Sequence, residues 1–88
     1  MDNFSELIQR SYNATRNRGL ITDETNTVDF IDKMEEEFTE VMCANTFEHE
    51  VEETIDLISV CLNFLKHNDI DFIKAFEKCI EFQETRKD

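Results

Sequence analysis

The stretch ETIDLISVCLNFL, residues 53–65, decides the fold that the sequence predicts. It is apolar almost all round, and a helix of this kind belongs in the middle of a helical bundle. Glu53, Asp56 and Asn63 nevertheless fall on one narrow polar stripe at helical spacing. Because buried polar groups must be satisfied, this stripe predicts hydrogen-bonding partners, a ligand or a metal ion.

Three more helical segments surround this central one, which we expect to run over about residues 47–67. Residues 27–44 carry apolar side chains at spacings of three and four, and thinner apolar rows mark residues 3–16 and 69–86. Short connections favour antiparallel neighbours, so the sequence predicts an all-α, four-helix antiparallel bundle-like fold in a single domain, residues 1–88. So short a chain buries only a modest core, and it carries eight phenylalanines. We therefore expect oligomerisation to complete the bundle.

The charge of the chain narrows the classes of partner. Its formal net charge is −12, from nine basic and twenty-one acidic residues. Phosphate backbones and anionic membranes are normally bound by clustered Lys and Arg, so we expect neither nucleic acid nor a membrane as partner. The three cysteines lie in apolar contexts without a C-x-x-C pair, and no signal peptide is apparent, which predicts a cytoplasmic protein.

Two acidic pairs stand near one turn of the chain. Glu37 and Glu40 lie three apart in KMEEEFTEV, residues 33–41, and Glu53 and Asp56 have the same spacing in the next helix. Antiparallel packing of the two helices would bring the four carboxylates to the same height along the helix axes, where they would face each other. Oxygen ligands suit Mg²⁺, with Mn²⁺ as an alternative, and no softer ligand beside them indicates zinc. An ordinary solvated helix face would also account for these residues, and the pattern alone leaves both interpretations open.

These motifs resemble those of MazG-like nucleoside triphosphate pyrophosphohydrolases. Residues 33–41 are similar to the family's K-[LM]-x-E-E-x-x-E-[LV] segment, and residues 52–57 resemble its following E-x-x-D helix. NDIDFIKAF resembles the family's turn into the last helix, and IEFQETR is similar to a common ending, with Gln83 where Asn is usual. The resemblance covers roughly residues 16–86.

The resemblance implies an all-α enzyme that uses Mg²⁺ to hydrolyse an NTP or dNTP to the monophosphate and pyrophosphate. Such enzymes clear surplus or non-standard nucleotides, and they usually work as a homodimer or homotetramer. Carried over by position, the metal ligands would be Glu37, Glu40, Glu53 and Asp56. Glu36 would orient the attacking water as the catalytic base, or it would lie in the outer shell of the metal site. Phosphoribosyl-ATP pyrophosphohydrolases share the acidic pairs, but the rest of this sequence resembles them less.

Four further residues are candidates for substrate binding. Lys33, Lys78 and Arg86 could neutralise the leaving pyrophosphate, although each also fits an ordinary surface charge. Asn63 lies two turns beyond Asp56 and could reach a base or sugar, or it could be a buried, hydrogen-bonded core residue.

A second class of function also fits the composition. A non-catalytic acidic helical protein that binds a basic partner or mimics DNA would have a similar net charge. It would need no carboxylates on its most apolar helix, and this favours the enzyme.

Overall fold

The computed structural model describes residues 3–86, which form four α-helices: α1 (Asn3–Asn17), α2 (Thr27–Cys43), α3 (Phe47–His67) and α4 (Phe72–Thr85). No strand occurs in this part of the chain. The prediction of an all-α fold is therefore confirmed. The single domain over residues 1–88 extends past the described residues at both ends and stays a prediction.

Side chains that precede α2 and α3 fix where these helices begin. At α2, the Asn26 side chain accepts a hydrogen bond from the backbone N–H of Asp29, whose carboxylate accepts one from the Asn26 N–H in return. At α3, the Thr46 hydroxyl accepts a hydrogen bond from the backbone N–H of His49. These caps satisfy N–H groups that have no partner within the helix.

The start of α4 lies three residues later than the sequence predicted. Asp69 has a φ of 58°, in the left-handed region, and such a residue cannot belong to a right-handed helix. The Asp71 carboxylate then accepts a hydrogen bond from the backbone N–H of Lys74 and caps the helix. The turn therefore includes residues 69–71, which the apolar pattern had assigned to the helix.

Helix α3 is the centre of the fold, because α1, α2 and α4 each pack against it. The rings of Phe30 on α2 and Phe64 on α3 lie 5.5 Å apart, while Glu40 near the end of α2 lies beside Glu53 near the start of α3. Contacts therefore run in opposite directions along the two helices, so α2 and α3 are antiparallel.

The connector between α1 and α2 is tied to the end of α3 through His67. The Nε2 atom of His67 lies 2.9 Å from the carbonyl oxygen of Thr25, and its Nδ1 atom lies 2.8 Å from the Tyr12 hydroxyl. Because a carbonyl oxygen only accepts, Nε2 carries a proton and donates it to the Thr25 carbonyl. Ile21, within this connector, is buried.

The apolar core of the single chain is small. Only Ile8, Ile21 and Phe30 are buried apolar side chains among the described residues, and none is completely enclosed. Helix α4 buries no residue, and the ring of its Phe72 stacks on Phe4 of α1, with centroids 5.5 Å apart. The bundle-like arrangement of four antiparallel helices and its completion by oligomerisation stay predictions. Of the helices in residues 3–86, none has both the length and the hydrophobicity needed to cross a bilayer.

Candidate metal centre and the cavity beside it

Three glutamates converge between α2 and α3. Glu37 and Glu40 lie three apart on α2 and therefore project from one face. The antiparallel packing of α3 places Glu53 opposite them, so that one carboxylate oxygen from each residue lies within 4.8 Å of the other two. Three of the four carboxylates that the sequence predicted to meet are thus close enough to contact one cation.

Of these glutamates, Glu37 is buried and Glu53 is partly buried, which is unusual for carboxylates. The side chain of Glu37 is 10% exposed and that of Glu53 is 15% exposed. The Oε2 atom of each is buried, and neither has a hydrogen-bond partner among the described residues. A buried carboxylate oxygen without a partner is costly, so these two atoms have the unmet coordination capacity that a cation would satisfy.

Lys33 is the basic residue that contacts this cluster. Its Nζ atom lies 3.3 Å from Oε1 of Glu37 and 3.3 Å from Oε1 of Glu36. Burial, the largest single influence, lowers the pKa of Lys33, but its hydrogen bonds to Glu37 and Glu36 and their charges raise that pKa overall. One ammonium group on Oε1 leaves Oε2 of Glu37 free for another cation.

Glu40 responds to the crowding of negative charge. The nearby Glu53 carboxylate raises the pKa of Glu40 above the ordinary glutamate value, and loss of water around the group acts in the same direction, while Glu37 opposes the shift. Crowding of the two negative charges of Glu40 and Glu53 therefore favours the protonated form of Glu40. A divalent cation between them would remove the reason for the shift.

His49 also lies at the cluster, which sequence analysis did not foresee. Its Nε2 atom lies 3.1 Å from Oε1 of Glu53, one turn further along α3. The expectation that no softer ligand stands beside the carboxylates was therefore wrong. The i,i+4 spacing of His49 and Glu53 is the signal that could have revealed the contact. Since the imidazole contacts Oε1, it orients the Glu53 carboxylate while Oε2 stays free.

A cavity of about 590 Å³ opens beside the cluster, between α1, the connector, α2 and α3. Glu37 and Asp56 both line it, and Lys33 lies on the same wall. Asp56 is exposed and does not belong to the group of three converging carboxylates. The structure thus places this fourth predicted ligand on the cavity wall, where a ligand or a second cation would meet it.

Asn63 forms the inner wall of the cavity, and it is buried. Its Oδ1 atom accepts a hydrogen bond from the Ser11 hydroxyl at 3.1 Å, and its Nδ2 group donates to Thr15 Oγ1 at 3.3 Å. These contacts join α1 to α3. Of the two interpretations left open by the sequence, the hydrogen-bonded core residue is the one that these contacts describe.

The remaining predicted site residues lie at different distances from this centre. The side chain of Glu36 is exposed and contacts Lys33 at the edge of the cluster. Lys78 and Arg86, on α4 and at its end, do not line the cavity. The structure therefore does not place these two basic residues on the cavity wall.

Arg18, in the connector between α1 and α2, lines the cavity, and sequence analysis did not identify it as a site residue. Gly19 has a φ of 76°, and the backbone N–H groups of Gly19 and Leu20 donate to Arg16 and Thr15 respectively. This glycine-terminated helix end turns the chain back beside α1. Gly19 was the available signal, since a glycine just after a helical segment marks the residue before it as a helix end.

Comparisons of this chain with protein-family models, with curated proteins and with solved structures find no match.

Proposed function

We propose that this protein is a Mg²⁺-dependent nucleotide pyrophosphohydrolase, which cleaves an NTP or dNTP to the monophosphate and pyrophosphate. The observation that carries the proposal is the pair of buried, unpartnered carboxylate oxygens, one on Glu37 and one on Glu53, beside Glu40. The resemblance of residues 33–41 and 52–57 to MazG-like motifs supports the same reaction. The three groups that converge are all carboxylates, and His49 contacts one of them rather than the centre of the group, which favours Mg²⁺, with Mn²⁺ as a substitute.

The residues present fit the binding of such a cation. Glu37, Glu40 and Glu53 would hold it, and His49 would keep the Glu53 carboxylate oriented through its 3.1 Å contact. When bound, the cation would neutralise charge on the triphosphate and acidify a coordinated water. Asp56 on the cavity wall would complete the negative surface that faces the substrate.

The cavity offers the other groups that a nucleotide needs. Lys33 and Arg18 bring positive charge to its wall, which suits the phosphate groups, and Ser11 and Thr15 offer hydroxyl groups further in. At the edge of the cluster, Glu36 is the group that would accept a proton from the attacking water. A volume of about 590 Å³ lies within the ordinary range of small-molecule sites.

The test is the identity of the products. Purified protein would be incubated with a panel of NTPs and dNTPs in Mg²⁺, and ³¹P NMR would distinguish pyrophosphate from inorganic phosphate. We expect pyrophosphate and a nucleoside monophosphate from at least one member of the panel. Release of the γ-phosphate alone, or no reaction with folded protein, would rule out the proposed reaction.

Thermal unfolding separates this proposal from the second class, an acidic protein that binds a basic partner or mimics DNA. A ligand that binds only the native state raises the apparent stability. The enzyme should therefore melt at a higher temperature in Mg²⁺ with a non-hydrolysable nucleotide analogue than in Mg²⁺ alone. The acidic interaction protein should show no nucleotide effect.

A further inference from the structure

The cavity has a carboxylate toward each of two ends. Glu37 lies on its wall at the end where α2 meets Glu53. Asp29 lies on the same wall next to Phe30, whose ring packs against Phe64 near the other end of α3. Eight residues of α2 separate the two carboxylates, which is about 12 Å along the helix. A nucleotide whose phosphates lie beside Glu37 would therefore extend its base toward Asp29, and this step rests on the proposed function.

The connector and the first turn of α2 give the cavity an apolar surface that suits a base. Leu20, Ile21 and Phe30 contribute it. Leu20 is 56% exposed although it lines the cavity, so its side chain is available to a ligand. Apolar walls with a few fixed polar groups are typical of small-molecule sites. These side chains would contact the flat faces of a base and leave Asp29 to contact its edge.

The Asp29 carboxylate is held in one orientation. Its Oδ2 atom accepts a hydrogen bond from the Asn26 N–H at 2.9 Å, while the Asp29 N–H donates to Oδ1 of Asn26 at 3.0 Å. The neighbouring Thr25 lines the cavity, and its carbonyl oxygen is held by Nε2 of His67 at 2.9 Å. Oδ1 of Asp29 accepts no hydrogen bond within residues 3–86. A polar group fixed in this way is already placed for a ligand, which favours selective binding.

The chemistry of a carboxylate distinguishes the bases. It accepts hydrogen bonds and cannot donate them, so it selects a base by its donor groups. Guanine presents its N1–H and its 2-amino group side by side, and both can donate to one carboxylate. Adenine and cytosine place a ring-nitrogen acceptor beside their amino group, and uracil and thymine place a carbonyl on each side of N3–H. Those acceptors would face the carboxylate and repel it.

We propose that Asp29 makes this protein selective for guanine nucleotides, by accepting hydrogen bonds from the N1–H and the 2-amino group of the base. One of these bonds goes to Oδ1. The other goes to Oδ2, which also caps α2. A carboxylate has about four lone-pair sites, so the cap and the base do not compete for one site.

Isothermal titration in Mg²⁺ tests the selectivity without hydrolysis, if the nucleotide analogues carry a methylene group between the α- and β-phosphorus atoms. We expect the guanine analogue to bind at least about tenfold more tightly than the adenine, cytosine and uracil analogues. It should exceed the hypoxanthine analogue by a similar factor, because hypoxanthine lacks the 2-amino group. This last comparison uses the wild-type chain and does not depend on how any variant folds.

The variant Asp29→Asn should exchange one base for another. Its side-chain oxygen can still accept the bond from the Asn26 N–H, but its amide donates, and xanthine has a carbonyl where guanine has the 2-amino group. We expect the guanine analogue to bind at least about tenfold more weakly and the xanthine analogue to bind more tightly. The matched control is Asp32→Asn, which removes an exposed charge of the same helix outside the cavity and should keep the guanine preference.

Equal binding of guanine and hypoxanthine, or tighter binding of another base, would overturn the proposal. So would a folded Asp29→Asn protein that loses affinity for every base equally, because that result describes a helix cap and not a base contact. The proposed reaction fails separately. Guanine-selective binding without pyrophosphate release would overturn the reaction alone, and equal pyrophosphate release from all NTPs would overturn the selectivity alone. Binding of no analogue by the folded protein would overturn both.

Discussion

The Nζ atom of Lys33 lies 3.3 Å from Oε1 of Glu37, so the most deeply buried carboxylate of the cluster has an ammonium group on one oxygen only. Its other oxygen, Oε2, is buried and has no hydrogen-bond partner in the described part of the chain. In the proposed enzyme, Lys33 and the metal ion share Glu37, each on its own oxygen. Their positive charges repel each other at this short range, so the lysine lowers the affinity for the metal ion.

Removing the charge of Lys33 should therefore tighten the binding of Mg²⁺ by the free protein. At an effective dielectric constant between that of a protein surface and that of water, we expect Lys33→Gln to raise the affinity for Mg²⁺ about tenfold. Isothermal titration with Mg²⁺ would measure it. Lys78→Gln, on exposed α4 outside the cavity, is the matched control and should leave the affinity unchanged. Weaker Mg²⁺ binding by Lys33→Gln would contradict this account of the ion pair.

Replacing Glu37 by glutamine should separate metal binding from folding. Glutamine keeps the shape of the side chain but removes the buried charge, so the variant should fold without a large loss of stability. Its Mg²⁺ affinity should fall by at least about tenfold. Thermal melts over a series of Mg²⁺ concentrations measure both quantities. Glu35→Gln, which alters an exposed glutamate of the same helix, should respond to Mg²⁺ like the wild type. An equal rise in melting temperature with Mg²⁺ for the two variants would show that Glu37 does not bind the metal ion.

The raised pKa of Glu40 predicts how the free energy of unfolding depends on pH when a chelator keeps the protein free of metal ions. The folded state holds the Glu40 proton more tightly than the unfolded state, whose pKa is near the ordinary value of 4.5. This group therefore favours folding below that pH, and its contribution is lost as pH rises through the folded pKa. Glu40→Gln cannot titrate, so its free energy of unfolding should fall less than that of the wild type as the pH is raised. Urea unfolding over a pH series measures the difference, and parallel curves would contradict the raised pKa of Glu40.

Asn63 should contribute to stability through its bonds to Ser11 and Thr15. Asn63→Ala removes both hydrogen bonds between α1 and α3 and should cost about 2 kcal/mol in the free energy of unfolding. Asn13→Ala, which removes an exposed contact with Gln9, should cost about 0.5 kcal/mol or less. Urea unfolding of the two variants compares them. If Asn63→Ala were as stable as the wild type but had a higher KM for nucleotide, the substrate-binding interpretation would replace the structural one.

The helices could be predicted closely because their signals are local. The predicted central segment, residues 47–67, coincides with α3, since Thr46 is a good cap and the apolar pattern ends at His67. The start of α4 was less accurate. The left-handed backbone of Asp69 depends on the turn that joins two packed helices, and this non-glycine residue gave no local signal of it.

The candidate site could be predicted only in part, because helical spacing gives the direction of a side chain but not the offset between two helices. The i,i+3 spacing placed Glu37 with Glu40 correctly. It also paired Glu53 with Asp56, yet only Glu53 lies level with the α2 pair, and Asp56 lies on the cavity wall. The place of Arg18 in the cavity depends on the return of the connector across α1, which is a long-range feature of the fold.

The rate of pyrophosphate release in Mg²⁺, compared between Glu37→Gln and Glu35→Gln, tests the central claim most directly. Both substitutions remove one negative charge from the same helix, but only Glu37 contributes a buried oxygen to the three-glutamate cluster. We predict that Glu35→Gln retains wild-type release from the best nucleotide of the panel and that Glu37→Gln loses it. Full activity of a folded Glu37→Gln protein would contradict the account.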